Sequence, residues 1–87
     1  PIKMDFIDPR QFGLNSRTKL VIQNKHIAII VDRKSRIIMK DGRRIFDQVV
    51  AIRKKEKRPV VLLTSAPVCG KTKIFLKEND IAIQSIN

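Results

Sequence analysis

With 87 residues, the chain is long enough for one domain with one hydrophobic core and too short for two. Its hydrophobic fraction of 43% and charged fraction of 31% are those of a folded protein and exclude a disordered tail. Nineteen Lys and Arg residues against eight Asp and Glu give a net charge of +11, which favours a polyanionic partner.

Residues 1–16 are predicted to form an arm or loop, because turn-forming residues such as Asp8-Pro9 and Gly13 recur there. Residues 17–87 are then predicted to form a single α+β domain. The arm contains four candidate anchors to the core of that domain: Phe6, Ile7, Phe12 and Leu14.

Two antiparallel hairpins are predicted at the start of the domain. Residues 18–22 are β-prone, residues 23–25 supply a turn, and the continuous apolar run 27–31 is typical of a strand buried on both faces. A third strand is expected over residues 36–40. Apolar residues then recur at helical spacing from Ile45 to Ile52, with Asp41 as the N-cap, and predict a helix over 42–57 that ends before Pro59.

Three further strands are predicted after the helix, over residues 60–64, 72–76 and 81–86. The order βββαβββ indicates an α+β fold. Its small mixed or antiparallel sheet would carry one amphipathic helix packed on a face.

Residues 65–72 read S-A-P-V-C-G-K-T and resemble the phosphate-binding loop of P-loop NTPases, G-x-x-x-x-G-K-[ST]. The resemblance covers these eight residues and departs at the first glycine, where Ser65 stands. Pro67 also removes one backbone N–H from the phosphate cradle. Because a strand is expected next, where a P-loop opens a helix, we expect a strand-connecting turn with Gly70 at a positive φ. A weak anion site remains as a hypothesis: Gly70, Lys71 and Thr72.

Cys69 is the only cysteine, so one chain can form neither a disulfide nor a Cys-based zinc site, and a reducing, cytoplasmic setting is expected. The ammonium of Lys71 could lower the pKa of this thiol. His26 is the only histidine and is predicted to lie in an exposed turn. Asp32 follows the most apolar strand, but one acid does not make a metal-dependent nuclease. No metal, cofactor or membrane span is predicted.

Basic residues concentrate between positions 32 and 58, where eleven Lys and Arg face four acids and leave a net charge of +7. This pattern favours a non-catalytic module that contacts the phosphate backbone of DNA or RNA. Since only four Phe and no Trp or Tyr are available for base stacking, low sequence specificity is expected. The candidate residues are Arg33, Lys34, Arg36, Arg43, Arg44, Arg53, Lys54, Lys55, Lys57 and Arg58.

Three other interpretations stay open. The charge run at 53–58 could simply be a solvated helix end stabilised by the helix dipole. The apolar runs at 27–31 and 60–63 also suit a protein-interaction subunit or homodimer that forms through an exposed sheet edge. The third is a phosphate-ligand binder at the Ser65–Thr72 loop.

Overall fold

The computed structural model describes residues 5–23 and 25–86. Its elements in chain order are β1 (Asp5–Ile7), a 3-10 helix (Pro9–Phe12), β2 (Lys19–Gln23), β3 (His26–Val31), α1 (Met39–Arg53), β4 (Val60–Thr64), α2 (Gly70–Glu78) and β5 (Ala82–Ser85). The prediction of a small α+β domain with a mixed sheet is confirmed, with two described α-helices where one was expected.

The five strands of the described residues form one sheet in the order β1-β2-β3-β4-β5. β1, β2 and β3 are antiparallel neighbours, whereas β4 runs parallel to both β3 and β5. Parallel neighbours need a crossover, and α1 and α2 supply the two crossovers. Because such crossovers are right-handed and the strand order advances in one direction, both helices lie on the same face of the sheet.

The main core lies between this helix-bearing face and the two helices. α1 buries four residues at helical spacing, namely Gly42, Ile45, Val49 and Ile52. They pack with the buried side chains of the central strands, which include Ile29 and Leu62. On the opposite face, a smaller cluster consists of strand residues only, among those the structure describes: Val21, Ala28, Val61 and Leu63.

α1 begins at Met39 and ends at Arg53, so the predicted helix over 42–57 is shifted by about one turn. Asp41 is therefore not the N-cap. It lies in the first turn of the helix, where its carboxylate accepts the backbone N–H of Ile38 at 3.0 Å. This bond satisfies one of the amide groups that the start of a helix leaves without a partner.

The predicted strand over 36–40 is wrong, because the helix begins inside it. Ile37 makes only an isolated parallel bridge, to Val68. That bridge consists of two backbone hydrogen bonds, from Ile37 N–H to the Pro67 carbonyl at 2.8 Å and from Cys69 N–H to the Ile37 carbonyl at 2.9 Å. It ties the loop after β3 to the loop after β4.

The predicted strand over 72–76 is also wrong, since these residues belong to α2. Thr72 and Leu76, four positions apart, are its buried residues, while Ile74 is 60% exposed. The Phe75 ring packs edge-on against Phe46 of α1, with the ring centroids 5.8 Å apart. Gly70 is the first residue of this helix, so the expected positive φ at Gly70 is wrong as well.

The segment for which an arm or loop was predicted contains β1 and the 3-10 helix. Three of its candidate anchors, Ile7, Phe12 and Leu14, pack against the core, whereas Phe6 is 72% exposed. The Asp8 carboxylate accepts the backbone N–H of Arg10 and begins the 3-10 helix. None of the helices in the described part of the chain is long and apolar enough to cross a membrane.

Candidate functional site

The direction of the parallel strands gives the molecule two distinct ends. β3 and β4 finish side by side, with Val31 paired to Thr64, and both helices begin just beyond this point. We call this end the carboxyl edge and the opposite end the amino edge. Ligands of open α/β sheets bind beyond the carboxyl ends of the strands, because loops and helix N-termini converge there.

The predicted basic surface is divided between these two edges. α1 separates Arg44 from Arg53 by nine residues, which corresponds to about 14 Å along the helix axis. Five of the predicted residues belong to the carboxyl edge: Arg33, Lys34, Arg36, Arg43 and Arg44. The other five belong to the amino edge: Arg53, Lys54, Lys55, Lys57 and Arg58.

Several amino-edge cations are used within the fold. The Arg53 guanidinium donates to the backbone carbonyls of Asn79 at 3.1 Å and Asp80 at 3.0 Å, just after α2. The Lys55 ammonium donates to the Gln11 carbonyl at 2.8 Å and so holds the 3-10 helix against the domain. Arg58 lies 3.6 Å from the Glu56 carboxylate. Part of this charge run therefore stabilises chain segments that are distant in sequence.

At the carboxyl edge, a cavity of about 430 Å³ opens between β2, β3 and α1. Asp41 and four cations line it: Arg17, Lys19, Arg33 and Arg44. Arg17 and Lys19 are not among the ten basic residues that were predicted from the sequence. Lys19 pairs with Ile30 near the end of β3, because β2 is antiparallel to β3. The predicted hairpin already implied this position for Lys19, since the start of the first strand of a hairpin lies beside the end of the second.

Among the residues that the structure describes, Arg33 is the one cation of this cavity whose side chain is bonded within the fold. Its guanidinium lies 2.7 Å from the Asp41 carboxylate and donates to the carbonyls of Ser35 and Arg36. Arg33 therefore fastens the loop after β3 to the first turn of α1. The hydrogen bonds from Arg33 and from the Ile38 N–H lower the pKa of Asp41, and the charge of Arg44 adds to this effect.

The other three cations have free donors. Within residues 5–23 and 25–86, the side chains of Arg17, Lys19 and Arg44 form no hydrogen bond or ion pair, and all three residues are exposed. The charge of Asp41 is already balanced by Arg33, so the rim of the cavity retains about three positive charges. The cavity also reaches buried apolar side chains, those of Ile29, Ile37 and Ile45.

The proposed anion-site residues lie at the start of α2, also at the carboxyl edge. Gly70 and Lys71 are exposed, but Thr72 is fully buried, and its methyl group faces Gly42 of α1. Cys69 is half-buried and precedes the helix. The backbone N–H groups of Lys71 and Thr72 lower the pKa of its thiol, and the charge of Arg36 contributes. The charge that acts on the thiol is thus that of Arg36 rather than the Lys71 ammonium.

Two further candidates from the sequence have polar partners. Asp32 follows β3 as expected, and its carboxylate accepts the Ser65 hydroxyl at 2.6 Å. His26 is the first residue of β3 rather than an exposed turn residue; it is half-buried, and its Nε2 lies 3.3 Å from the Gln23 side-chain oxygen. No group of three or more His, Cys, Asp or Glu side chains that could hold a metal ion occurs among the described residues.

Comparison with known proteins returned no relatives: no protein-family model, no curated protein and no solved structure matches the chain.

Proposed function

We propose that this chain is a non-catalytic binding module that contacts the phosphate backbone of DNA or RNA with low sequence specificity. Its binding surface is the carboxyl-edge cluster, which we define as the cations of segments 17–19, 33–44 and 70–71. The observation that supports this proposal best is the cavity rim, where Arg17, Lys19 and Arg44 converge with free donors.

The electrostatics of the carboxyl edge favour an anionic ligand. The cluster contains nine Lys and Arg residues. Asp41, within these segments, and Asp32, immediately before one of them, each accept a hydrogen bond from a protein side chain. Both helices also begin at this edge, and the positive ends of their dipoles add to the attraction. Guanidinium groups suit phosphate because they donate in pairs from one plane. A nucleic acid presents phosphates in a row, which matches a cluster spread over several elements.

Reversing two charges at each end of the molecule tests this assignment. The test variant is Arg17→Glu with Arg44→Glu, and the matched control is Lys54→Glu with Lys57→Glu at the amino edge. Each pair lowers the net charge from +11 to +7. Fluorescence anisotropy with a labelled single strand and a labelled duplex, measured over a range of salt concentrations, gives the affinity and its salt dependence. Thermal unfolding verifies that each variant is folded.

We expect the carboxyl-edge variant to bind more weakly than the control and to lose about 1.5 to 2 from the slope of log K against log salt. Equal losses of affinity in both variants would show that the nucleic acid responds to the net charge of the molecule rather than to this cluster. If wild-type affinity changes little with salt, backbone contacts are excluded. A reducing, cytoplasmic setting is part of the same proposal, since the chain has a single free cysteine.

A second candidate is self-association through a sheet edge, or capture of a protein partner there. β1 is an edge strand of the sheet, and its Phe6 side chain is 72% exposed. Light scattering of the wild type and of Phe6→Ser over a range of concentrations tests it. A dimer that Phe6→Ser dissociates supports this candidate, whereas a monomer at every concentration contradicts the homodimer.

A further inference from the structure

The cavity at the carboxyl edge combines two kinds of surface. Its rim carries the free cations Arg17, Lys19 and Arg44, and its interior reaches the buried side chains of Ile29 and Ile45. Its volume of about 430 Å³ falls within the range of pockets that hold small molecules, roughly 300–1,000 Å³. Inorganic phosphate would use the rim and leave the apolar interior empty, whereas an apolar ligand would gain nothing from three cations. The ligand that uses both is an anion with an organic body.

The α1 face towards this cavity presents its residues in a regular series. Arg44 and Ile45 follow Asp41 by three and four positions, Gln48 follows them by four and three, and all four residues line the cavity. Gln48 is half-buried, and its amide forms no hydrogen bond within the described part of the chain. Thr18, on the opposite wall, is also half-buried, and its hydroxyl has no hydrogen-bond partner in the same residues. An amide and a hydroxyl together provide donors and acceptors to a ligand.

We propose that this cavity takes one unstacked nucleotide of a single strand. Its phosphate would contact Arg17, Lys19 and Arg44 at the rim, and its sugar and base would enter towards Ile29 and Ile45. This inference rests on the proposed function, which supplies the nucleic acid, and it adds that the preferred form is single-stranded, because a base within a duplex cannot leave its stack without cost. The Gln48 amide contacts the edge of the base or the sugar.

The described residues that line the cavity include no aromatic side chain, and this shapes how a base would be recognised. The base is held by aliphatic contacts rather than between aromatic rings. Such contacts tolerate every base, so the proposal agrees with low sequence specificity. A single amide can still favour one base edge over another by a small factor.

The experiment is a titration followed by NMR of isoleucine methyl groups. The probes are inorganic phosphate, a nucleoside 5′-monophosphate, and a short single strand with its duplex. Ile29, Ile37 and Ile45 report on the cavity, whereas Ile52 is a buried core residue that does not line it. We expect the monophosphate and the single strand to shift the cavity methyls and leave Ile52 unmoved. The monophosphate should bind about tenfold more tightly than inorganic phosphate, and the single strand more tightly than the duplex.

The matched variants are Gln48→Met in the cavity and Gln84→Met on β5, where Gln84 is exposed. Gln48→Met should weaken the monophosphate about threefold to tenfold, the effect of one hydrogen bond, and leave inorganic phosphate unchanged. Gln84→Met should change neither. If the methyl signals of the cavity do not shift while the strand binds with normal salt dependence, this inference is overturned and the proposed function stands. If neither a strand nor a nucleotide binds, both fail. Equal affinity for inorganic phosphate and the monophosphate would also overturn it.

Discussion

The Arg33 guanidinium lies 2.7 Å from the Asp41 carboxylate, and the two side chains are half-buried, with 33% and 18% of their surface exposed. Asp41 also accepts the N–H of Ile38, so one carboxylate joins the loop after β3 to the start of α1. The cations of the carboxyl-edge cluster therefore have two different roles. Arg33 builds the loop, whereas the neighbouring cations Arg17, Lys19 and Arg44 remain free to bind.

Asp41→Asn is expected to lower the free energy of unfolding by about 1–2 kcal/mol, because it removes the charged acceptor of both the Arg33 guanidinium and the Ile38 amide. Urea denaturation measures the change. Asp47→Asn is the matched control, since Asp47 is exposed on the same helix and has no hydrogen bond among the described contacts. Equal stability of the two variants would contradict a structural role for the pair.

Stability should also depend on pH through Asp41. Its pKa in the folded protein is below the ordinary value because of Arg33 and the Ile38 amide, so the unfolded chain takes up the proton first. The stabilisation is complete above about pH 5 and is lost progressively as the pH falls through the ordinary pKa and then through the lowered one. Subtracting the curve of unfolding free energy against pH of Asp41→Asn from that of the wild type isolates the contribution of the Asp41 carboxylate. The difference should be constant at neutral pH and shrink below about pH 5; a difference that does not change with pH would refute the linkage.

Gly42→Ala is expected to destabilise the fold by about 1–3 kcal/mol, although alanine is the better helix former. A Cβ at position 42 would lie 2.8 Å from the Thr72 methyl carbon, where α1 and α2 meet. Thr72→Ser removes that methyl group, so Gly42→Ala should cost less in the Thr72→Ser background. Gly70→Ala is the control, because its Cβ would meet nothing within 4 Å. If the losses of unfolding free energy in the two single variants simply add in the double variant, the contact between positions 42 and 72 is not what destabilises Gly42→Ala.

Cys69 should be alkylated by iodoacetamide with a midpoint at lower pH in the folded protein than in urea. The N–H groups of Lys71 and Thr72 lower the pKa of the thiol most, and the Thr72 hydroxyl and, to a smaller extent, the charge of Arg36 lower it further and so favour the thiolate. Arg36→Gln should move the midpoint partway towards that of the unfolded chain, while Lys34→Gln, another exposed cation of the same loop, should not. Identical midpoints for folded and unfolded wild type would contradict this account.

The local pattern of residues was sufficient for much of the fold. The apolar runs at 27–31 and 60–64 correspond to β3 and β4, and the helical spacing of Ile45, Val49 and Ile52 identified α1. These patterns are informative because apolar residues that are buried on a strand or on one helix face recur in the sequence at a spacing typical of that element. The concentration of positive charge was likewise visible from composition.

The second helix and the make-up of the candidate site were decided by contacts between distant segments. Residues 72–76 fit either a strand or a helix, since five residues are too few to separate the two periods, and the parallel pairing of β4 with β5 requires the crossover that selects the helix. The sequence-based prediction placed neighbouring cations on one surface, yet α1 carries Arg44 and Arg53 to opposite edges of the sheet. The antiparallel pairing of β2 with β3 then places Arg17 and Lys19 beside Arg44. Charge is a property of residues, but a binding surface depends on which strands pair and in which direction.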